Sequence, residues 1–401
     1  MNDDSGDKEL RNVAVNAPSD HQKRILIGVF CWTVLFIGVA FVFFAGRSSE
    51  VRGTSVFDLQ ISEPFSLQGA QPDQLVVLGR TPLCLEKEGA AVLDARGRER
   101  DFIRWPYYDA KVTFAGDALL VHPDWGTGFM LVEPDKKIYV FDTKVQIDQA
   151  DYGDQVLVTI GHDSSSRGVV SVFDLQTHAE TLTLTFEQEG WPIFIQLTED
   201  SRGFELLLAD DAEGRPVTRF QQYDLAGNRM MDYRFTAHPL FAGMMSFSDR
   251  GRLLYGADTV ILVNALTGEP EESLKTGELI HMDYQKGAIS IVAQEGNKAR
   301  VLLRPASQKD EFHFVTSSVD LWCRRNADAD EKESDLFQTM SLSKSGRFLL
   351  IGTDRALVLL DMEDGRELAR SSVNDIKRIV ALSETSFLVT TSRKAAIVTV
   401  K

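Results

Sequence analysis

The sequence predicts an all-β domain, a β-propeller of eight blades with seven as the alternative, carried behind a single N-terminal transmembrane helix. Three observations predict it. Residues 25–45, ILIGVFCWTVLFIGVAFVFFA, form a run of 21 positions without a charge. Beyond them, short β-type runs bounded by Gly, Asp, Asn or Ser dominate, and helical periodicity is nearly absent. Those runs also repeat, with a period in the forties that matches one four-stranded propeller blade.

The elements follow in order. Residues 1–24 are polar and charged without an apolar period, which reads as a short disordered cytoplasmic tail. The apolar run is long enough as a helix, at about 1.5 Å per residue, to cross a hydrocarbon core of about 30 Å. Lys8, Arg11, Lys23 and Arg24 precede it, and only Arg47 and Arg52 follow closely, so the positive-inside bias puts the N-terminus in the cytoplasm and the rest outside. Phe43 sits where a small residue would precede a cut after Ala45, so the segment reads as an uncleaved signal-anchor in the cytoplasmic membrane. Cys31, Gly38 and Ala45 recur every seven residues on one side of that helix, a seam through which two anchors would form a weak homodimer. Residues 46–53 are a short linker, and the propeller is expected over 54–401.

Within the repeat, an apolar run ends in Asp or Asn and a polar turn follows. The pattern stands at Asp94, Asp142, Asp174, Asp224, Asn264 and Asp361, with a degenerate slot near Arg304; the mean spacing from 94 to 361 is 44.5 residues. A carboxylate or amide at the end of a third strand can accept the turn's own N–H groups, so these residues are read as turn formers and not as catalysts. Three runs follow Asp361, at 376–383, 386–391 and 395–400, and the run 54–61 has no unit of its own. Pairing it with the last three closes the ring and removes exposed sheet edges. The longest gap, between Arg304 and Asp361, holds an insertion whose polar, acidic tail spans 326–335 and is expected to form a mobile loop.

At these residues the chain resembles an uncharacterised bacterial domain-of-unknown-function family of membrane-anchored proteins, found mainly in Gram-positive anaerobes. The likeness rests on the order of tail, anchor and repeats, and on units such as Lys137-Ile-Tyr-Val-Phe-Asp142 and Gly168-Val-Val-Ser-Val-Phe-Asp174. It implies a WD40-like or quinoprotein-like propeller at the membrane and brings no activity. The Gly-His and Trp-Asp marks of WD40 repeats themselves are missing.

Composition narrows the partners. The first 45 residues hold four basic and five acidic side chains, leaving 39 and 54 for the remainder, a net charge of −15. That disfavours nucleic acid and anionic lipid surfaces. Cys84 and Cys323 are the exported cysteines, too few for a disulfide scaffold; one bridge between them is an alternative to a buried Cys84 thiol.

Candidate chemistry is sparse. Asn326, Asp328 and Asp330 have the opening spacing of a calcium loop, but Glu331 and Phe337 stand where Gly and Glu are required. His162, Asp163 and Ser164–Ser166 are consecutive in a loop, whereas a catalytic triad must converge in space. The histidines show no metal-ligand spacing, adjacent cysteines and Trp-rich repeats for a quinone are missing, and no Gly-rich phosphate loop occurs, so no metal and no cofactor is expected. The most distinctive loop is His122-Pro-Asp124-Trp125-Gly126-Thr-Gly128. His122, Asp124 and Trp125 are the candidate ligand-binding residues, with Trp125 either a stacking platform for a sugar, quinone or peptide group or a plug between blades.

The expected function is a non-enzymatic binding or scaffolding protein of the cell envelope, with an envelope protein or polymer as partner. The alternative is a propeller enzyme, a quinone-type oxidoreductase or a glycan-cleaving hydrolase, which would place facing carboxylates in the central channel.

Overall fold

The computed structural model describes residues 57–401 apart from 68, 109, 125, 188, 213, 239, 249–250, 309–310 and 324–334. The expected membrane helix 25–45, with Cys31, Gly38 and Ala45, lies outside the described residues. So do Trp125 and all of the acidic stretch 326–335 except Asp335. No helix among the described residues is long and apolar enough to cross a membrane.

Strands form wherever apolar runs meet turn residues, and successive antiparallel hairpins stack them into eight units. Blade 1 runs from Leu75–Leu78 to Glu99–Arg104, blade 2 from Ala110–Ala115 to Ile138–Phe141, and blade 3 from Gln146–Gly153 to Ala179–Phe186. Blade 4 runs from Trp191–Leu197 to Arg229–Phe235 and blade 5 from Phe241–Ser248 to Pro270–Lys275.

Blade 6 is irregular. Its first three strands are Glu278–Gln285, Ala288–Glu295 and Lys298–Arg304, and two short pieces, Val315–Thr316 and Leu321–Trp322, share the outer position. Leu321–Trp322 also pairs in parallel with Asp335–Leu342, the first strand of blade 7, so blades 6 and 7 merge into one nine-stranded sheet. This is where the insertion between Arg304 and Asp361 is accommodated. Blade 7 ends with Glu367–Ser372.

Blade 8 is assembled from both ends of the domain. Ile376–Ala381, Ser386–Thr391 and Lys394–Val400 supply three strands, and Leu59–Ile61 pairs with the last, Leu59 opposite Val400 and Ile61 opposite Val398. Phe65–Ser66 extends the same edge. The closing strand expected from the sequence is therefore present over its described part. Leu59 is buried with Phe348, Leu350 and Val398, and Phe57 meets Phe348 edge-on at 5.5 Å.

The core lies between blades. Eight apolar clusters are each built from two consecutive units, and the last, which includes Leu75, Val77, Leu382 and Leu388, joins blade 8 to blade 1. A succession of interfaces that returns to its start is a closed ring, and the described residues form an all-β propeller with eight blades. The first strands of neighbouring blades touch, as in the pairs formed by blades 2 and 3, 3 and 4, 4 and 5, 6 and 7, and 7 and 8, so they line the ring's inner side.

The turn formers behave as their chemistry dictates. Asp94 Oδ1 accepts the N–H groups of Arg96 and Arg98, Asp174 those of Gln176 and Thr177, Asp224 those of Ala226 and Asn228, and Asn264 those of Leu266 and Thr267. Asp142 is a correction. It follows the fourth strand of blade 2, not the third, which is Phe129–Val132. Pro134 cannot continue that strand, and Lys136 takes the left-handed conformation (φ 70°), so the hairpin closes early at Glu133. Asp135 accepts the Lys137 N–H in that turn.

Candidate functional site

Two of the three sequence candidates can be placed. His122 and Asp124 leave the end of the second strand of blade 2, beside the seam with blade 3. His122 is 3% exposed. Its Nδ1 lies 3.1 Å from the Pro123 carbonyl, which can only accept, so the proton is assigned to Nδ1. Nε2 is then a buried lone-pair acceptor without a hydrogen-bond partner among the described residues. Burial depresses the imidazole's affinity for a proton, which keeps the ring neutral.

Asp124 does not approach it as a catalytic partner would. Its Oδ1 forms an ion pair with Lys111 Nζ at 2.6 Å, and its carbonyl accepts from Gln146 Nε2 at 2.9 Å. The pair therefore ties the loop of blade 2 to its own first strand and to blade 3. His122 lines none of three large surface cavities of the ring, and neither does Asp124. Trp125, the proposed platform, lies outside the described residues.

Across the seam, a bulge at the start of blade 3, between Ile147 and Gln149, turns Asp148 out of the ladder. Its Oδ2 sits 3.2 Å from His162 Nδ1. The same irregularity recurs in the first strands of blades 4 to 8, at Ile193, Ala242, Ile280, Gln338 and Lys377. The polar loop after His162 is a turn, as its sequence implies: Asp163 Oδ1 accepts the N–H groups of Ser165 and Arg167.

Two partly buried carboxylates on first strands join neighbouring blades. Asp151 in blade 3 accepts the N–H of Leu197 in blade 4 (2.7 Å) and that of Tyr152 (2.9 Å). Asp283 in blade 6 does the same to Leu342 in blade 7 (2.7 Å) and to Tyr284 (2.8 Å). Ser341 in blade 7 repeats the contact on Ala381 of blade 8. Each is a clasp from one first strand to the next. Burial pushes both carboxyls above the usual range, while the N–H donors pull the other way. A further buried pair joins blades 4 and 5: Arg252 Nε lies 2.9 and 2.7 Å from the two oxygens of Glu205, and Gln196 Nε2 donates to the same carboxylate at 2.7 Å. These contacts were invisible to sequence reasoning, although the repeated Asp-Tyr before a turn at 151–152 and 283–284 was a signal.

The cavities lie elsewhere. One of about 400 Å³ opens on the first strands of blades 2 to 6, walled by Phe114, Phe194, Met244, Met245 and Tyr284 with Gln196 and Glu199. A groove of about 1130 Å³ follows the seam between blades 8 and 1, where Phe65 and Leu67 face Phe102 and Cys84. The Cys84 thiol is half-buried, and burial raises its pKa; it is not bridged to Cys323, which sits after the outer piece of blade 6. A third, of about 760 Å³, lies on the seam of blades 3 and 4 and contains Trp191. Among the described residues, no group of His, Cys, Asp and Glu side chains is placed to hold a metal ion.

No family model matches the chain, and none of the curated proteins matches it. Similar solved structures include a functionally unknown protein from Desulfotomaculum acetoxidans, at 11% identity over 74% of this chain and 99% of that one, with a TM-score of 0.48. The β-propeller domain of Myceliophteria thermophila Cps50 (Swd1) matches at 13% identity over 73% of this chain and 96% of its own, TM-score 0.43. The WD40 domain of Neurospora crassa Pan2 matches at 11% identity over 72% and 89%, TM-score 0.44.

Proposed function

We propose that the chain is a membrane-anchored binding or scaffolding protein of the cell envelope, held by residues 25–45 with its propeller outside the cytoplasmic membrane. The observation that carries the binding role is the presence of open cavities bounded by more than one blade. Two lie on seams, those of blades 8 and 1 and of blades 3 and 4, and one spans the first strands of blades 2 to 6, concave settings that suit a ligand, while Asp151, Asp283 and Glu205 hold blade to blade. The uncharged 21-residue run and the basic residues before it support the anchor and its orientation. The closing strand begins at Leu59, fourteen positions after Ala45, so the anchor would feed directly into the blade that seals the ring.

Crosslinking in intact cells followed by capture of the full chain tests this reading. The expected result is an envelope protein or polymer recovered above a control carrying residues 1–53 alone. Recovery of nothing beyond that control would contradict it.

A further inference from the structure

The cavity between blades 3 and 4 has the chemistry of a sugar site. Trp191 opens the first strand of blade 4 and is 39% exposed, so part of its ring is open to a ligand in the cavity it lines. Gly190 presents it: its φ is +105°, and a Cβ there would stand 2.8 Å from the Ala209 carbonyl, so only glycine lets the chain turn in and set Trp191 opposite Ala209. The indole lies beside His162, ring centres 6.3 Å apart, and Phe186 also lines the cavity.

The polar groups around this face are fixed in advance. Arg167 is held by Asp163 at 2.6 Å and reaches Glu187 at 2.7 Å. Asp210, 8% exposed at its side chain, pairs with Arg234 and lies 4.0 Å from Arg219. Asp211 Oδ1 accepts the Gly214 N–H at 2.7 Å, and its Oδ2 makes no hydrogen bond among the described residues. Planar donors and acceptors therefore stand side by side around an exposed indole, with Glu187 and Asp210 already facing arginines.

That balance selects the ligand class. A cation would meet Arg167 and, of Glu187, Asp210 and Asp211, would find Asp211 as the one carboxylate without an arginine partner among the described residues, and a phosphate would meet all three of those carboxylates. A neutral polyol needs what is present: an aromatic face for its C–H surface, and alternating donors and acceptors for adjacent hydroxyls. The volume of about 760 Å³ suits a short saccharide segment.

We infer that the seam of blades 3 and 4 binds a neutral carbohydrate, with Trp191 as the stacking platform and Arg167, Glu187 and Asp211 as hydroxyl partners. The inference rests on the envelope-polymer reading above and narrows it to a glycan.

The test uses the full chain purified in a zwitterionic detergent without a sugar headgroup. Calorimetric titration with chitotetraose, cellotetraose and maltotetraose should show binding to at least one. Trp191→Ala should weaken that binding by about tenfold or more, the scale of a lost aromatic stack together with its buried area. Trp191→Phe should fall between, Asp211→Asn should weaken binding, and Met230→Ala, an exposed change outside the cavity, should leave it unchanged. Equal binding by Trp191→Ala and the parent chain would overturn the inference. So would an absence of binding to all three oligosaccharides, or preferential binding of an arginine-rich peptide at Trp191. The titration does not depend on where the chain resides: failure here with envelope partners still captured in cells removes the glycan site alone.

Discussion

The ion pair of Arg252 and Glu205 offers the sharpest prediction about how the blades hold together. The side chains are 5% and 0% exposed, and the carboxylate receives Arg252 Nε on both oxygens and Gln196 on one. Arg252 Nη1 donates further to the carbonyls of Ser248 (3.0 Å) and Gly251 (2.9 Å). Replacing Glu205 with Leu keeps an apolar body of similar size but strands a guanidinium at the seam of blades 4 and 5. Breaking one partner of a buried pair costs about 3–5 kcal/mol, and Arg252→Met should cost a similar amount by stranding the carboxylate. Replacing both removes the charges together, and such exchanges are about neutral or even stabilising. The double variant should therefore be more stable than either single one, with a coupling energy of about 3 kcal/mol or more. Urea unfolding of the four chains followed by circular dichroism measures this. Added salt should change the coupling little, since buried charges are weakly screened. Single variants that each lose under about 1 kcal/mol, the scale of a solvent-exposed pair, would refute the reasoning.

The clasps make a second prediction: Asp151→Asn and Asp283→Asn each turn an amide nitrogen towards one backbone N–H, costing about 1–3 kcal/mol at neutral pH in the same unfolding assay. Both parent carboxyls are raised in the folded chain, so their ionisation works against folding, and the stability they supply is lost as pH climbs from the ordinary carboxylate range through the folded value. Unfolding midpoints across that window should show a shallower fall with rising pH in the Asn variants. His122 and His281 are depressed by burial, so their contribution runs the other way: stability is lost as pH falls below about 6.5, the unfolded imidazole value. His281→Phe should flatten that acid limb, read from the same midpoints. Leu59→Asp puts a charge into the core shared by blades 7 and 8 and should open the closing strand, seen as new protease cuts at the C-terminal strand Lys394–Val400.

Much of the ring was legible because its signals are local. The carboxylate that ends a third strand and the glycine that turns the hairpin sit within five residues of each other, and closure by the leftover first strand follows from counting runs. Asp142 misled because Ile138–Phe141 has the apolar look of a third strand, and only Pro134 and the early turn at Glu133 place it fourth. The split outer strand of blade 6 was hidden for the opposite reason: Val315–Thr316 and Leu321–Trp322 are too short to carry a pattern. The site was less legible than the fold. His122 and Asp124 are neighbours in sequence, yet one is a buried neutral ring and the other a surface ion pair. The clasps and the Trp191 cavity join residues of different blades, and the register between blades is set by packing that no single run encodes. A tryptophan directly after Gly190 was the one local hint.

The proposed placement of the propeller outside the membrane, on an anchor at residues 25–45, is open to a direct test. Protease added to intact cells tests it most directly. The expected result is release of a folded fragment whose N-terminus falls between Gly46 and Thr54 and which still resists further digestion as a ring of eight blades. Complete protection in intact cells, with cleavage only after the membrane is permeabilised, would contradict it.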